Sequence, residues 1–349
     1  MSDTINSKRR QFLQVAGIGA VSLAAGDLLN VKLAQAADNS NGASAGPGLA
    51  PVMAPIKQVR AGVLDIGYYE AGPKNAPVVL LMHGFPYSIQ SFEQVAPMLA
   101  KRGYRVIVPH LRGHGSTTFI DSTSPRSGQQ GAIGADLIAL MDALKIHKAV
   151  FAGFDWGGRA ACVAAALWPE RCAGLVSVNS YLIQDIAHAT APIPAKVESG
   201  LWYQYYFQTE RGRLGLAADR RGIAKVIWTR NSPTWAFDDA TLERTAVSFD
   251  HPDYVDVVIH SYRHRLGLAD GFPAYADIEK RLAALPPISV PSITLDGITD
   301  GVIPATDGTS SAARFTGKRV HRQITNAGHN LPQEAPQAFA DAVTDVMAL

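Results

Sequence analysis

The sequence is poor in the features that mark specialised partners. Two cysteines among 349 residues are too few for a disulfide framework or a cysteine-based metal centre. Cys162 and Cys172 stand 10 positions apart; if the stretch between them is mostly helical it spans about 15 Å. A disulfide tolerates a Cα separation of only roughly 7 Å, so two buried free thiols are expected. Charge of one sign is also lacking: 32 Lys and Arg face 30 Asp and Glu, for a net charge of +2 with no long run of either sign. That balance gives no electrostatic footprint for nucleic acid. The apolar stretch from Val15 to Gly26 falls short of the roughly 18 to 20 residues that cross a bilayer, so no stable membrane anchor is expected. What remains is a chain long enough, and at 47% hydrophobic residues apolar enough, for one large α/β domain with a smaller insertion.

The N-terminus carries Ser7-Lys8-Arg9-Arg10-Gln11-Phe12-Leu13 ahead of that apolar stretch, and Ala34-Gln35-Ala36 has the small-x-small form of a cleavage site. The pattern resembles a twin-arginine export signal. It implies removal of residues 1–36, transient contact with the twin-arginine machinery, passage in the folded state, and a periplasmic or secreted mature protein. Residues 37–55, rich in Ala, Gly, Ser, Asn and Pro without apolar periodicity, are expected to be a linker.

From Ile56 onward, short apolar runs alternate with helical patterns. The runs are Val78 to Met82, Val106 to Val108, Ala149 to Ala152, Gly174 to Val178, Ser292 to Leu295 and Val320 to Ile324. Continuous runs of this length suit strands covered on both faces of a parallel sheet. Between the second and third, Leu137, Leu140, Met141 and Leu144 form the i, i+3, i+4, i+7 stripe of a crossover helix. The expected fold is α/β, a mostly parallel sheet flanked by helices. Residues 182–275 break the alternation with an aromatic- and arginine-rich helical stretch, so the core is assigned to 56–181 and 276–349 with a helical cap between.

The most specific motif is Gly153-Phe154-Asp155-Trp156-Gly157-Gly158, set between a strand run and a helical pattern. Glycines around a sharp strand-to-helix turn let one residue take a strained conformation with its side chain projecting, and the helix N-terminus favours an anion there. Here that residue is Asp155 where ester and peptide hydrolases place serine. The substitution sets the chemistry. A serine alkylated at an sp³ carbon would form an ether that an imidazole base cannot hydrolyse, whereas an alkylated carboxylate forms an ester whose carbonyl water can attack. Asp155 therefore points to carbon electrophiles such as epoxides or alkyl halides.

Three further parts are needed. Backbone N–H groups of Phe85, in His83-Gly84-Phe85-Pro86, and of Trp156 are expected to form an oxyanion hole for the second step. His329, in Asn326-Ala327-Gly328-His329 after the last strand run, is the expected base, in the order nucleophile, acid, histidine. The acid should follow the preceding strand, where Asp296 and Asp300 are both candidates; Asp300, out in the loop, has the better reach.

With these residues in place the chain resembles the epoxide hydrolase branch of the α/β-hydrolases over residues 63–336. The matching segments are His83-Gly84-Phe85-Pro86, Arg112-Gly113-His114-Gly115-Ser116-Thr117, Asp155-Trp156-Gly157-Gly158 and Tyr203-Gln204-Tyr205-Tyr206-Phe207-Gln208. The resemblance implies an α/β-hydrolase fold with a helical cap, a small hydrophobic substrate and no cofactor or metal. It also implies that Tyr203 and Tyr262 hold the epoxide oxygen, a role suited to phenolic donors facing a developing alkoxide. Phe154 and His114 depart from the family pattern. Two related readings stay open: a haloalkane or haloacid dehalogenase, hinted at by Trp156 and Arg159, and a non-catalytic ligand-binding protein on the same scaffold.

Overall fold

The computed structural model describes residues 53–349; the expected export signal and nearly all of the expected linker lie outside the described residues. The first strands are ones that the apolar-run criterion passes over, β1 (Ile56–Ala61) and β2 (Leu64–Ala71). They are followed by β3 (Val78–Met82), α1 (Val95–Lys101), β4 (Arg105–Pro109), a two-residue β5 (Thr118–Phe119), α2 (Gln130–Ala143), β6 (Ala149–Gly153), α3 (Asp155–Leu167) and β7 (Cys172–Val178). Seven helices come next: α4 (Ala195–Gly200), α5 (Trp202–Tyr206), α6 (Glu210–Ala218), α7 (Arg220–Asn231), α8 (Asp239–Ala246), α9 (Tyr254–Arg265) and α10 (Ala276–Ala283). The chain closes with β8 (Ser292–Gly297), β9 (Arg319–Ile324), α11 (Leu331–Glu334) and α12 (Pro336–Asp345).

The strands form one sheet in the order β1-β2-β4-β3-β6-β7-β8-β9, with β5 paired to β2. β1, β2 and β4 pair antiparallel in succession, and every pairing from β4 to β9 is parallel. All six strands expected from apolar runs are present. Val79, Leu80, Leu81, Phe151 and Ala152 have no exposed surface, as parallel strands covered on both faces should. On α2, Leu137, Leu140 and Met141 are buried and Leu144 is the residue at which the helix ends. Cys162 on α3 and Cys172 on β7 are buried free thiols.

Residues 182–275 contain no strand. Their helices start where local chemistry tells them to: Thr209, Asp219 and Asp238 each accept a backbone N–H of the first turn of α6, α7 and α8. On α9, Tyr254, Val257, Val258, Ser261 and Tyr262 form a buried face at helical spacing.

Sheet order decides where a site can form. β3 and β6 are neighbours, and the connection leaving β3 runs toward β4 while the one leaving β6 runs toward β7, so they diverge and open a crevice at the strands' C-terminal ends. Met82 and Gly153 are register partners, which places His83 to Phe85 beside Phe154 and Asp155.

Candidate active site

Asp155 sits at φ +50°, a left-handed conformation that an aspartate adopts only under constraint from its surroundings. The constraint is the turn from β6 into α3. A Cβ on Gly157 would collide with the Met82 carbonyl oxygen, and one on Gly84 with the Asp155 side chain itself. These two glycines let β3 and the turn approach closely enough for the Phe85 N–H to donate to Asp155 Oδ1 at 2.8 Å. One of the two expected oxyanion donors is thus already engaged with the carboxylate oxygen that would become the ester carbonyl. Trp156 contributes a second interaction through its side chain: its indole N–H donates to Tyr262 Oη at 3.3 Å.

His329, in the loop between β9 and α11, presents Nε2 3.6 Å from Asp155 Oδ2 and Nδ1 2.9 Å from Asp300 Oδ2. Asp300 is fixed in turn: its Oδ1 accepts the N–H groups of Val302 (2.8 Å) and Ile303 (2.9 Å), and Asn179 Nδ2 donates to Oδ2 at 3.2 Å. Asp296 faces elsewhere. Its Oδ2 accepts from the backbone N–H and the hydroxyl of Thr306, so it anchors the strand end.

Electrostatics follow from that sandwich. Burial disfavours an imidazolium, but the Asp300 and Asp155 carboxylates outweigh it and hold His329 up to about 10. Burial likewise pushes Asp155 up, and the hydrogen bond and charge of His329, the Arg159 charge and the Phe85 N–H bring it below the usual carboxylate range. Both shifts favour a protonated His329 beside an ionised Asp155.

Tyr203 on α5 and Tyr262 on α9 meet edge to face, their rings 5.4 Å apart, and both pack on the Phe85 ring at 6.1 and 5.3 Å. Burial, with the Asp155 charge behind it, raises Tyr203 to about 12; burial, Tyr203 and Asp155 hold Tyr262 well above its usual range. Both phenols therefore keep their protons at neutral pH. Tyr206 is only half-buried, its hydroxyl outside this pair.

Sequence reasoning misses the clamp that holds the base and acid loops. The Asn231 carbonyl, at the end of α7, accepts the N–H of His329 (3.3 Å) and that of Gly301 (2.9 Å). Glu334 accepts from Ser232 Oγ at 2.6 Å and from the Gly328 N–H at 2.8 Å. No local pattern announces these contacts. His83, by contrast, is structural: Nδ1 bonds to the Gly84 carbonyl at 3.0 Å and Nε2 accepts the Leu111 N–H at 3.2 Å. Arg112 buries its guanidinium against Asp136 with two hydrogen bonds of 2.6 and 2.7 Å, the structural meaning of the Arg112-Gly113-His114-Gly115 motif. Among the described residues no group of three or more His, Cys, Asp or Glu side chains could hold a metal ion.

A sheet of this order, a carboxylate on the strained turn after β6, and a histidine and acid on the loops after β9 and β8 define a class, and residues 77–336 match it: the chain belongs to the alpha/beta hydrolase fold family. Within that class it falls in the epoxide hydrolase branch. It is 51% identical to a candidate epoxide hydrolase of solved structure from Klebsiella pneumoniae subsp. pneumoniae MGH 78578, with a TM-score of 0.83 over 84% of this chain and 97% of that one. It is 26% identical to epoxide hydrolase A of Mycobacterium tuberculosis over 80% of this chain and 92% of the relative. At a similar distance, 27% over 82% of this chain and 92% of the relative, stands the magnesium-chelatase 30 kDa subunit of Rhodobacter capsulatus. Side chains in the site, rather than overall likeness, must therefore separate the activities.

Proposed function

We propose that the protein hydrolyses epoxides through a covalent ester on Asp155. The observation that carries the reading is the division of labour on one carboxylate: Oδ1 is on the Phe85 N–H while Oδ2 lies 3.6 Å from His329 Nε2. Oδ2 attacks an epoxide carbon, the ring C–O bond breaks, and the alkoxide takes a proton from Tyr203 or Tyr262. Alkylation also neutralises Asp155. One of the two carboxylates that hold the proton on His329 is lost, so His329 releases it as the phenolate is restored, and the proton count closes. Neutral His329, oriented by Asp300, then takes a proton from a water that attacks Asp155 Cγ. Negative charge develops on Oδ1, against the Phe85 N–H and the expected Trp156 N–H. Collapse breaks the bond from Cγ to the alkyl oxygen, which takes a proton from His329 and leaves as the diol, and the carboxyl proton of Asp155 returns to His329. Commitment of the Trp156 indole N–H to Tyr262 favours this reading over halide release, which would want that donor free.

The test is intact-protein mass spectrometry with a simple aryl epoxide. His329→Gln should accumulate an adduct of the epoxide's mass on Asp155, and Asp155→Ala should form none. An adduct on another residue, or wild-type turnover by Asp155→Ala, overturns the mechanism. Tyr203→Phe with Tyr262→Phe should slow adduct formation by about 10² or more and leave ester hydrolysis nearly unchanged.

Export by the twin-arginine route is part of the same proposal, supported by Arg9, Arg10 and Ala34-Gln35-Ala36. Changing both arginines to lysine preserves charge and should leave the precursor in the cytoplasm; unchanged export of that variant refutes the assignment.

A further inference from the structure

A cavity of about 720 Å³ opens between the helical insertion and the loop after β8. Its walls include Lys196 and Val197 of α4, Arg230 of α7, Pro233, and Ile298 and Pro304 of the acid loop. None of Asp155, His329, Tyr203 and Tyr262 lines it, so it is separate from the catalytic site. Its volume falls in the range of small-molecule sites, about 300 to 1,000 Å³.

The charge in this cavity is of one sign. Among the described residues neither Lys196 nor Arg230 has a carboxylate partner; Arg230 Nη2 donates to Ser199 Oγ at 3.2 Å. Elsewhere on the insertion Arg213, Arg221 and Lys225 are paired with Asp256, Asp250 and Asp239. Asp300, the acid in the lining, is already engaged: Oδ1 accepts the Val302 and Ile303 N–H groups, and Oδ2 meets His329 and Asn179. The remaining wall is apolar, with Ile298 48% exposed in it. A concave apolar wall beside unpaired cations matches a ligand with an apolar body and an anionic head.

The cavity also touches the mechanical link between cap and triad. A Cβ on Gly301 would collide with the Arg230 carbonyl oxygen, and the Gly301 N–H donates to the Asn231 carbonyl at 2.9 Å. Thr234 and Thr299 join their hydroxyls across the same seam at 2.7 Å. A ligand held by Lys196 and Arg230 and resting on Ile298 therefore fastens the insertion to the loop that carries Asp300.

We propose that this cavity is an effector site for a free amphiphilic carboxylate, whose binding slows turnover. A guanidinium fork matches a carboxylate in two parallel bonds, the Lys196 ammonium adds a second charge, and the alkyl chain covers Ile298 and Pro304. Tyr203 and Tyr262 stand on α5 and α9 of the same insertion, and release of a product from beneath a cap requires cap and core to part. A ligand that fastens the two lowers kcat without competing for the substrate's place. The site stands independently of the epoxide reading; the effect on turnover rests on it.

The experiment is calorimetric titration of the full-length protein with octanoate. One octanoate should bind per chain, while octan-1-ol, which has the chain without the charge, and acetate, which has the charge without the chain, should each bind at least about tenfold more weakly. Lys196→Glu combined with Arg230→Glu should weaken octanoate by roughly 10- to 100-fold, the range for hydrogen bonds to a charged group. Ile298→Asp should weaken it as well. All three side chains are exposed, so these variants should keep the wild-type Tm and, without octanoate, the wild-type turnover of an aryl epoxide. In the wild type, saturating octanoate should lower kcat by about fivefold, the low end of coupling between linked sites, with KM little changed. The double variant should lose that response. No binding, octanol as good as octanoate, or affinity that survives the double variant overturns the site. Inhibition that raises KM alone places octanoate at Asp155 and overturns it too. Binding that the variants abolish but that leaves kcat unchanged overturns the regulation. Binding that they abolish, with no epoxide turned over by any form, supports the site and removes the epoxide reading instead.

Discussion

The core buries two sets of histidines, and although burial disfavours the imidazolium in both, their pKa values move in opposite directions. His329, between Asp300 and Asp155, is held up to about 10. His83 and His110, also buried, are pushed down to about 3 by burial, and His114 falls well below the usual range through burial and the charge of His83. Position alone does not account for this, because His83 also feels the Asp155 charge. What differs is the partner at each ring nitrogen. His329 faces carboxylates on both sides, whereas His83 and His114 bond to backbone groups and stack edge-on at 5.1 Å. A base is therefore recognised by its neighbours rather than by its depth.

The largest effect expected from that contrast is on turnover. His329→Gln should lower kcat on an epoxide by about 10³ or more, while His83→Gln should change it by less than about tenfold and lower Tm instead. Equal losses in kcat would erase the distinction.

A smaller effect separates the two acids. Asp300→Asn should reduce kcat by about 10² or more, as removal of the charge that orients a catalytic histidine does. Asp296→Asn should stay within a few-fold of wild type, because its carboxylate serves Thr306. Steady-state assays of the pair decide it, and a larger loss in Asp296→Asn would reassign the acid.

The smallest effects are in pH dependence, and the signs oppose. His329 has a folded pKa above the roughly 6.5 of an unfolded histidine, so its stabilisation is complete below about 6.5 and fades as pH rises through about 10. His83 and His110 have folded values below it, so stability is complete above about 6.5 and is lost as pH falls toward about 3. His110→Gln should flatten the acid-side fall in Tm by a few degrees without altering the alkaline side. Asp155→Asn, neutral like the ester, should lower the His329 pKa measured by NMR and leave that of His83 nearly where it was. A His329 value indifferent to Asp155→Asn would mean that Asp300 alone holds the proton, and the two-step logic of the base would fail.

Legibility in the sequence followed physics. The parallel strands were readable because a strand covered on both faces needs an unbroken apolar run, as in Val78 to Met82. β1 escaped because its side chains are mostly exposed, and β2 because Asp65, Gly67 and Glu70 interrupt its apolar residues. The meeting of Asp155, His329 and Asp300 was readable because each follows the end of a strand of the parallel sheet. The Asn231 carbonyl and the Ser232–Glu334 pair were not, since Asn231 to Gly301 and His329, and Ser232 to Glu334, join residues 70 to 102 positions apart.

The Asn231 carbonyl changes what counts as a module in this protein. By chain order, residues 182–275 are an insertion that could be exchanged for another cap with the catalytic loops left intact. Mechanically the boundary runs elsewhere, because one oxygen at the end of α7 ties the base loop to the acid loop. A graft that replaced the whole insertion would remove a strut from the machinery it was meant to leave alone. For this chain the natural cut leaves Asn231 and Ser232 with the core, and specificity would be redesigned around them.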